Sequence, residues 1–149
     1  LYKVVQGRLE SEPVDLEVPR WSPQKVQSMI VSARQDLAAG GRAWGAFAGD
    51  TLVGLAVLGN IWRGERKDQL QLVLLHVGNG YRRQKLGSHL LQLAIERARA
   101  KGARQLYISA TESQRAVGFY TSHGARLAPK VDRELFEREP QDIHLVLDL

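Results

Sequence analysis

The chain has 149 residues and a mass of 16.6 kDa, with 44% hydrophobic and 25% charged residues. That is enough to bury one core without a disulfide or metal staple. It contains no cysteine, which excludes a disulfide framework, a cysteine-ligated zinc site and a thiol nucleophile. Twenty-one basic against sixteen acidic residues give a net charge of +5 and a pI near 9.8. This balance admits polyanionic ligands such as nucleotides, coenzymes or nucleic acid without choosing among them. No apolar run approaches the roughly 18 residues of a membrane span, and no signal peptide precedes the first polar residues. The start at Leu1, without Met, reads as a processed or trimmed terminus. Together these features predict one soluble, cytoplasmic domain over residues 1–149.

In chain order, Leu1 to Leu9 has strand propensity, and Glu10-Ser11-Glu12-Pro13 reads as a break. Ser22 suits an N-cap and Pro23 the first helical position; Val26, Ile30, Ala33 and Leu37 then recur at helical spacing until Gly40-Gly41 ends the helix. Trp44–Ala48 and Leu52–Gly59 are apolar runs split by Gly49-Asp50, a hairpin signal. Leu70 to Val77 is nearly continuous and apolar, as expected of a strand buried on both faces. Gly78-Asn79-Gly80 turns the chain into a helix whose stripe is Leu86, Leu90, Leu93, Ala94 and Ala98, stopped at Gly102. Leu106–Ala110 predicts a strand, Ser113–Ser122 a shorter helix stopped near Gly124, and Ile143–Leu147 a last strand. Lys130 to Glu139 reads as a charged connection. Alternating strands and helices predict an α/β layered domain with a mixed sheet.

Two segments could carry chemistry. The strand–turn–helix from Val73 to Leu91 presents the unpaired N–H groups and positive dipole of a helix start, where phosphates bind. Arg82, Arg83 and Lys85 add three cations within four residues, although a solvated helix start has the same look. It is neither a Walker P-loop nor a dinucleotide fingerprint. The second segment, Ser113 to Gly124, places Ala116, Phe119 and Tyr120 on one helical face; the two aromatics also suit a core.

Together these segments resemble the GNAT superfamily of N-acetyltransferases. The family signature Arg/Gln-x-x-Gly-x-Gly/Ala stands here as Arg82-Arg83-Gln84-Lys85-Leu86-Gly87. The later pattern Asn-x-x-Ala-x-x-Phe-Tyr-x-x-x-Gly stands as Ser113-x-x-Ala116-x-x-Phe119-Tyr120-x-x-x-Gly124. The element order also matches over essentially the whole chain. Two residues depart from the pattern. Lys85 replaces the first glycine, at a cost of about 1 kcal/mol if that position is left-handed. Ser113 replaces a frequent Asn that contacts the pantetheine arm.

The resemblance implies a mixed, mostly antiparallel sheet of about six to seven strands with helices on both faces. It implies acetyl-CoA as co-substrate, no metal, and acetyl transfer to a primary amine of a small molecule or protein. The pantetheine arm would lie between splayed strands near Leu75 to Val77 and Tyr107 to Ala110. Leu75, Val77, Arg82, Arg83, Gln84, Lys85, Leu86, Gly87, Ser88, Ser113, Ala116, Phe119 and Tyr120 would bind the coenzyme. The Val77 backbone N–H would hold the oxyanion and Tyr120 would protonate the leaving thiolate. Many relatives place a Glu six residues before the Val77 position; Gln71 stands here and cannot accept a proton. His76 is a candidate base, although simple alternation turns it away from both Gln71 and Val77 unless a bulge reverses that. His123 and His144 are weaker candidates, and four scattered histidines do not make a metal site. Glu112 and the Glu137/Glu139/Asp142 group are either cation-holding residues or a solvated loop.

Two other classes stay open from the residues. A non-catalytic acyl-CoA sensor is compatible with Gln71. A nucleic-acid module would use Arg97, Arg99, Lys101 and Arg104, but these sit on an ordinary exposed helix face without a base-stacking platform. No membrane partner is expected. Homodimers are common in the family, and the acceptor pocket falls on variable regions such as Trp21–Leu37 and Lys130–Asp142.

Overall fold

A computed structural model describes residues 2–5, 8–11, 31, 33–78, 80–81 and 85–149. Strands β1 (Tyr2–Val5) and β2 (Arg8–Ser11) pair antiparallel as a separate two-stranded ribbon. The predicted first strand is thus two strands, and Glu10 and Ser11 continue the second instead of breaking it. The start of the first helix lies outside the described residues. Its last turns, residues 33–38 (α1), end at Gly40, whose φ of +101° is open to glycine at no steric cost.

The main sheet has six strands in the order β3-β4-β5-β6-β8-β7. These are β3 (Arg42–Ala48), β4 (Thr51–Leu58), β5 (Gln69–Val77), β6 (Gln105–Ala110), β7 (Arg126–Leu127) and β8 (Ile143–Asp148). Only β5 and β6 run parallel; every other neighbour is antiparallel. The β3–β4 hairpin turns at Gly49, with φ of +61°. Helix α2 (Leu86–Ala100) crosses between the parallel pair, α3 (Gln114–Ser122) follows β6, and α4 (Arg133–Arg138) precedes β8.

Two layers cover the sheet. Leu58, Leu70, Leu72, Leu106, Ile108, Leu145 and Leu147 form one core with Leu91, Ala94, Ile95 and Ala98 of α2 and Val117 and Tyr120 of α3. The buried stripe of α2 is rotated from the expected one: Leu91 and Ile95 are buried, whereas Leu86 and Leu93 are half-buried. On the other face Tyr107 and Val146 pack on Leu135 of α4. Helix α4 went unrecognised in the charged stretch because Leu135 is its only buried residue, and β7, a strand of two residues just before that stretch, is too short to show alternation. Asp132 caps that helix, its Oδ1 accepting the Leu135 N–H at 3.1 Å.

A bulge in β5 decides which side chains share a face. Val57 pairs with Leu74 but Leu58 with Leu72, so Val73 is an extra residue between them. Cross-strand partners share a face. Leu75 and Val77, opposite Ala56 and Gly54, therefore lie on the α2/α3 side with Leu70 and Leu72. Leu74 and His76 fall on the α4 side with Gln71. The expectation that His76 turns away from Gln71 fails for this reason, while its separation from Val77 stands. Burial on both faces also holds only for Leu70 to Leu72; beyond the bulge the strand is partly open and His76 is exposed.

Candidate functional site

The β5–β6 ladder has three rungs, Gln69–Gln105, Leu70–Leu106 and Gln71–Tyr107. Both strands run on past it, β5 held by β4 as far as Val77 and β6 by β8 as far as Ala110. The sheet therefore opens between the C-terminal halves of its two parallel strands. The closed end is fixed by a cross-strand polar chain. Gln69 Nε2 donates to Gln105 Oε1 (2.8 Å), and Gln105 Nε2 donates to Asp148 Oδ1 (2.8 Å), which also takes Arg126 at 3.3 Å. Pinning at one end and separate partners beyond it give a wedge. A groove of about 840 Å³ lies at the closed end, where Arg66, Lys67, Arg104, Arg126 and Lys130 face Glu65, Asp68, Asp132 and Asp148.

The helix start expected to hold phosphate stands beside the open end. Arg82, Arg83 and Gln84 lie outside the described residues. Lys85 is the N-cap of α2 with φ 59° and ψ 20°, a left-handed conformation, so the lysine carries a steric cost that a glycine would avoid. Leu86 begins the helix, and no acidic residue occupies its first turn. Gly87 is backed by the Phe119 ring and the Val77 side chain: a Cβ there would lie 3.4 Å from the ring. Leu75, Val77 and Gly87 thus share one side of the opening.

Helix α3 supplies the rest. Ser113 is its N-cap, its Oγ accepting the Ala116 N–H at 3.2 Å, so this hydroxyl already has a structural task. Phe119 packs edge-on against Tyr120, ring centroids 5.2 Å apart. Tyr120 is buried, and burial pushes its phenol well above the ordinary range, so it holds its proton. His123, at the C-terminal end, packs at a tilt against Phe119 with ring centroids 4.6 Å apart and reaches Ser88 Oγ with Nε2 at 3.0 Å. The two motif segments thereby touch through a residue set aside in the sequence. Its i,i+4 spacing from Phe119 was the available signal.

The α4 side of the sheet holds a buried polar network. The Tyr107 hydroxyl accepts the Asp132 N–H (2.8 Å) and lies 2.6 Å from His144 Nδ1. Arg63, 5% exposed, places Nη1 3.2 Å from Asp132 Oδ2 and 3.7 Å from Glu134 Oε2. Asp36 of α1 is also buried; desolvation raises its pKa against the opposing charges of Arg63 and Arg138. Burial lowers the His144 pKa, and burial also pushes the Tyr107 phenol up to about 12. The simplest proton placement has neutral His144 accepting from Tyr107 at Nδ1, which leaves the proton on Nε2. That Nε2 and the Gln71 Oε1 on the other side of Tyr107 are buried without a hydrogen-bond partner among the described residues. Ser109 Oγ donates to Asp142 Oδ2 at 2.9 Å, Glu137 lies on α4 and Glu139 is its C-cap. The sequence missed this network because Arg63, Tyr107, Asp132 and His144 are far apart in the chain and follow no motif.

Among the described residues no cluster of His, Asp or Glu is arranged to hold a metal ion, and no helix is long and apolar enough to cross a membrane.

The architecture is thus a mixed sheet opened between its one parallel pair, with a helix start at the opening. Residues 8–125 match the model of the acetyltransferase (GNAT) family, and the chain belongs to that family. No curated protein matches it. Among solved structures it is similar to a nourseothricin acetyltransferase (22% identity over 99% of this chain and 82% of that one, TM-score 0.72). It is similar to a Bacillus subtilis acetyltransferase in complex with CoA (22% identity, 89% and 97% covered, TM-score 0.63). A third is the PaiA N-acetyltransferase of Thermoplasma acidophilum in complex with coenzyme A (23% identity, 85% and 70% covered, TM-score 0.57). At these identities the likeness speaks for the fold.

Proposed function

We propose that this chain transfers an acetyl group from acetyl-CoA to a primary amine. The observation that carries the reading is the β5–β6 ladder, which stops after three rungs beside the N-terminus of α2. A thin, extended acyl-pantetheine arm needs such an opening, and a pyrophosphate needs the amides and dipole of a helix start. The CoA complexes among its structural neighbours support the same coenzyme.

The coenzyme supplies an activated acetyl thioester. On the α2/α3 side, Leu75 and Val77 would line the arm, and the turn ending in Lys85, Leu86, Gly87 and Ser88 would face the phosphates. The Val77 N–H would donate to the developing oxyanion. Tyr120 would return a proton to the departing thiolate: burial raises its pKa, so the phenol is fully protonated and ready to donate at neutral pH. The acceptor would approach from the α4 side, where Gln71, His76 and the Tyr107–His144 pair are placed. An ammonium group must lose its proton before attack. Since Gln71 cannot take it, His76 or a water chain would.

Gln71 also favours a second reading, an acyl-CoA sensor that binds the coenzyme without turnover. Calorimetric titration of acetyl-CoA and desulfo-CoA tests the shared site, with micromolar, stoichiometric binding expected. An amine panel monitored for free thiol then separates the two readings, because a sensor releases none above background. Absence of binding would overturn both.

A further inference from the structure

The His123 imidazole has a defined proton arrangement. Its Nδ1 lies 2.8 Å from the Phe119 carbonyl oxygen and 3.3 Å from Ser122 Oγ. The carbonyl can only accept, and the Ser122 hydroxyl already donates to that same carbonyl at 2.7 Å. Both neighbours of Nδ1 therefore present lone pairs, and Nδ1 carries the proton. In the neutral ring Nε2 is then an acceptor, and its partner at 3.0 Å is the Ser88 hydroxyl. Ser88 is the third residue of α2, in the turn whose N–H groups have no intrahelical acceptor.

We infer that His123 is a positioning residue of the coenzyme's phosphate site and couples binding there to uptake of one proton. This rests on the coenzyme reading above. In the neutral state the single Ser88 proton is committed to His123 and cannot serve a phosphate oxygen. When the ring gains a proton from solvent, Nε2–H donates to Ser88 Oγ and the hydroxyl proton turns outward as a donor. An anion at the α2 terminus favours that state twice, by accepting from Ser88 and by offsetting the imidazolium charge.

The surroundings make protonation depend on the anion. On α2 the charged and titratable residues near Ser88 are Lys85 and His89, and the first turns of α2 and α3 hold no acid. On α3 itself, Arg115 is at the opposite end, with Glu112 preceding the helix. A pyrophosphate bound at the α2 terminus would add negative charge on the Nε2 side of the ring.

The test is calorimetric titration of coenzyme A into the full chain at pH 6, 7 and 8, in two buffers of different ionisation enthalpy. Proton uptake then appears as a buffer-dependent heat. The coenzyme's own phosphate titration is common to all variants and cancels in differences between them. The parent should take up more protons than His123→Asn near neutral pH. Its affinity should rise by about tenfold more than the variant's from pH 8 to pH 6, the low end for one charge-assisted hydrogen bond. Ser88→Ala keeps the imidazole and removes the relay, and should lose most of the extra uptake. Equal uptake in parent and His123→Asn overturns the inference while leaving coenzyme binding intact. Full uptake in Ser88→Ala overturns the relay through the hydroxyl. No binding of coenzyme A by the parent at any pH removes the coenzyme reading itself and the inference with it.

Discussion

The Tyr107 hydroxyl stands 2.6 Å from Nδ1 of His144 while accepting the backbone N–H of Asp132. One phenol thus joins β6, β8 and the cap of α4 beneath the open part of the sheet. Tyr107→Phe removes the partner of a backbone donor and of a buried imidazole nitrogen together. Leaving buried polar groups unpaired costs about 1–3 kcal/mol. Thermal unfolding should show a drop of about 2–8 °C for a chain of this size. A variant melting with the parent would show that the network adds no stability.

His144 gives stability a pH dependence with a definite sign. Its pKa is lowered in the folded state, so between that value and the ordinary histidine value the unfolded chain binds more protons. Its stabilising contribution is complete above about pH 6.5 and is lost as pH falls through the folded pKa. Denaturant unfolding of the parent should weaken as pH drops below about 6.5, and His144→Phe should flatten that part of the profile. Asp36, whose pKa is raised, acts in the opposite sense and at lower pH, so the two contributions are separable.

Lys85 holds φ 59° at the N-cap of α2. Glycine removes the Cβ clash but loses more chain entropy on folding, and the two partly offset to leave about 0.5 kcal/mol in its favour. Lys85→Gly should raise the melting temperature by about 1–2 °C. An unchanged or lower melting temperature would mean that the lysine side chain contributes something the backbone strain conceals.

Gly87 and Tyr120 separate binding from turnover. Gly87→Val introduces branches against the Phe119 ring, which already lies 3.4 Å from where a Cβ would stand. Coenzyme binding should be lost while the circular dichroism spectrum persists. Tyr120→Phe should bind coenzyme nearly as the parent does and turn over about a hundredfold more slowly, the usual size of a general-acid contribution. Parent-like turnover in Tyr120→Phe would assign the acid elsewhere.

Much of this was legible in the residues. Ser22-Pro23, Gly40-Gly41, Gly49-Asp50 and Gly102 punctuate the chain through backbone chemistry that acts locally, and those the structure describes fall at element ends. The two motif segments carried the family for the same reason: a phosphate-binding helix start must be written in consecutive residues. The Val73 bulge was hidden because Leu72-Val73-Leu74-Leu75 offers no polar residue to betray a change of phase. Helix α4 was hidden because six residues with one buried leucine produce no periodicity. The Arg63–Asp132–Tyr107–His144 network joins the β4–β5 connection to β6, β8 and the cap of α4, and no local rule reaches that far.

The extra residue in β5 separates chain length from face assignment. A substitution at Val73 changes one side chain. Its deletion would make Leu72 and Leu74 adjacent, and regular alternation would then give Leu74, Leu75, His76 and Val77 the faces they already hold. What a lost codon would remove is the local bend and added twist of a bulge, placed just after the last rung that joins β5 to β6. The spare residue thus serves the shape of the strand where it leaves its parallel partner, and the identity of its side chain matters less than its presence.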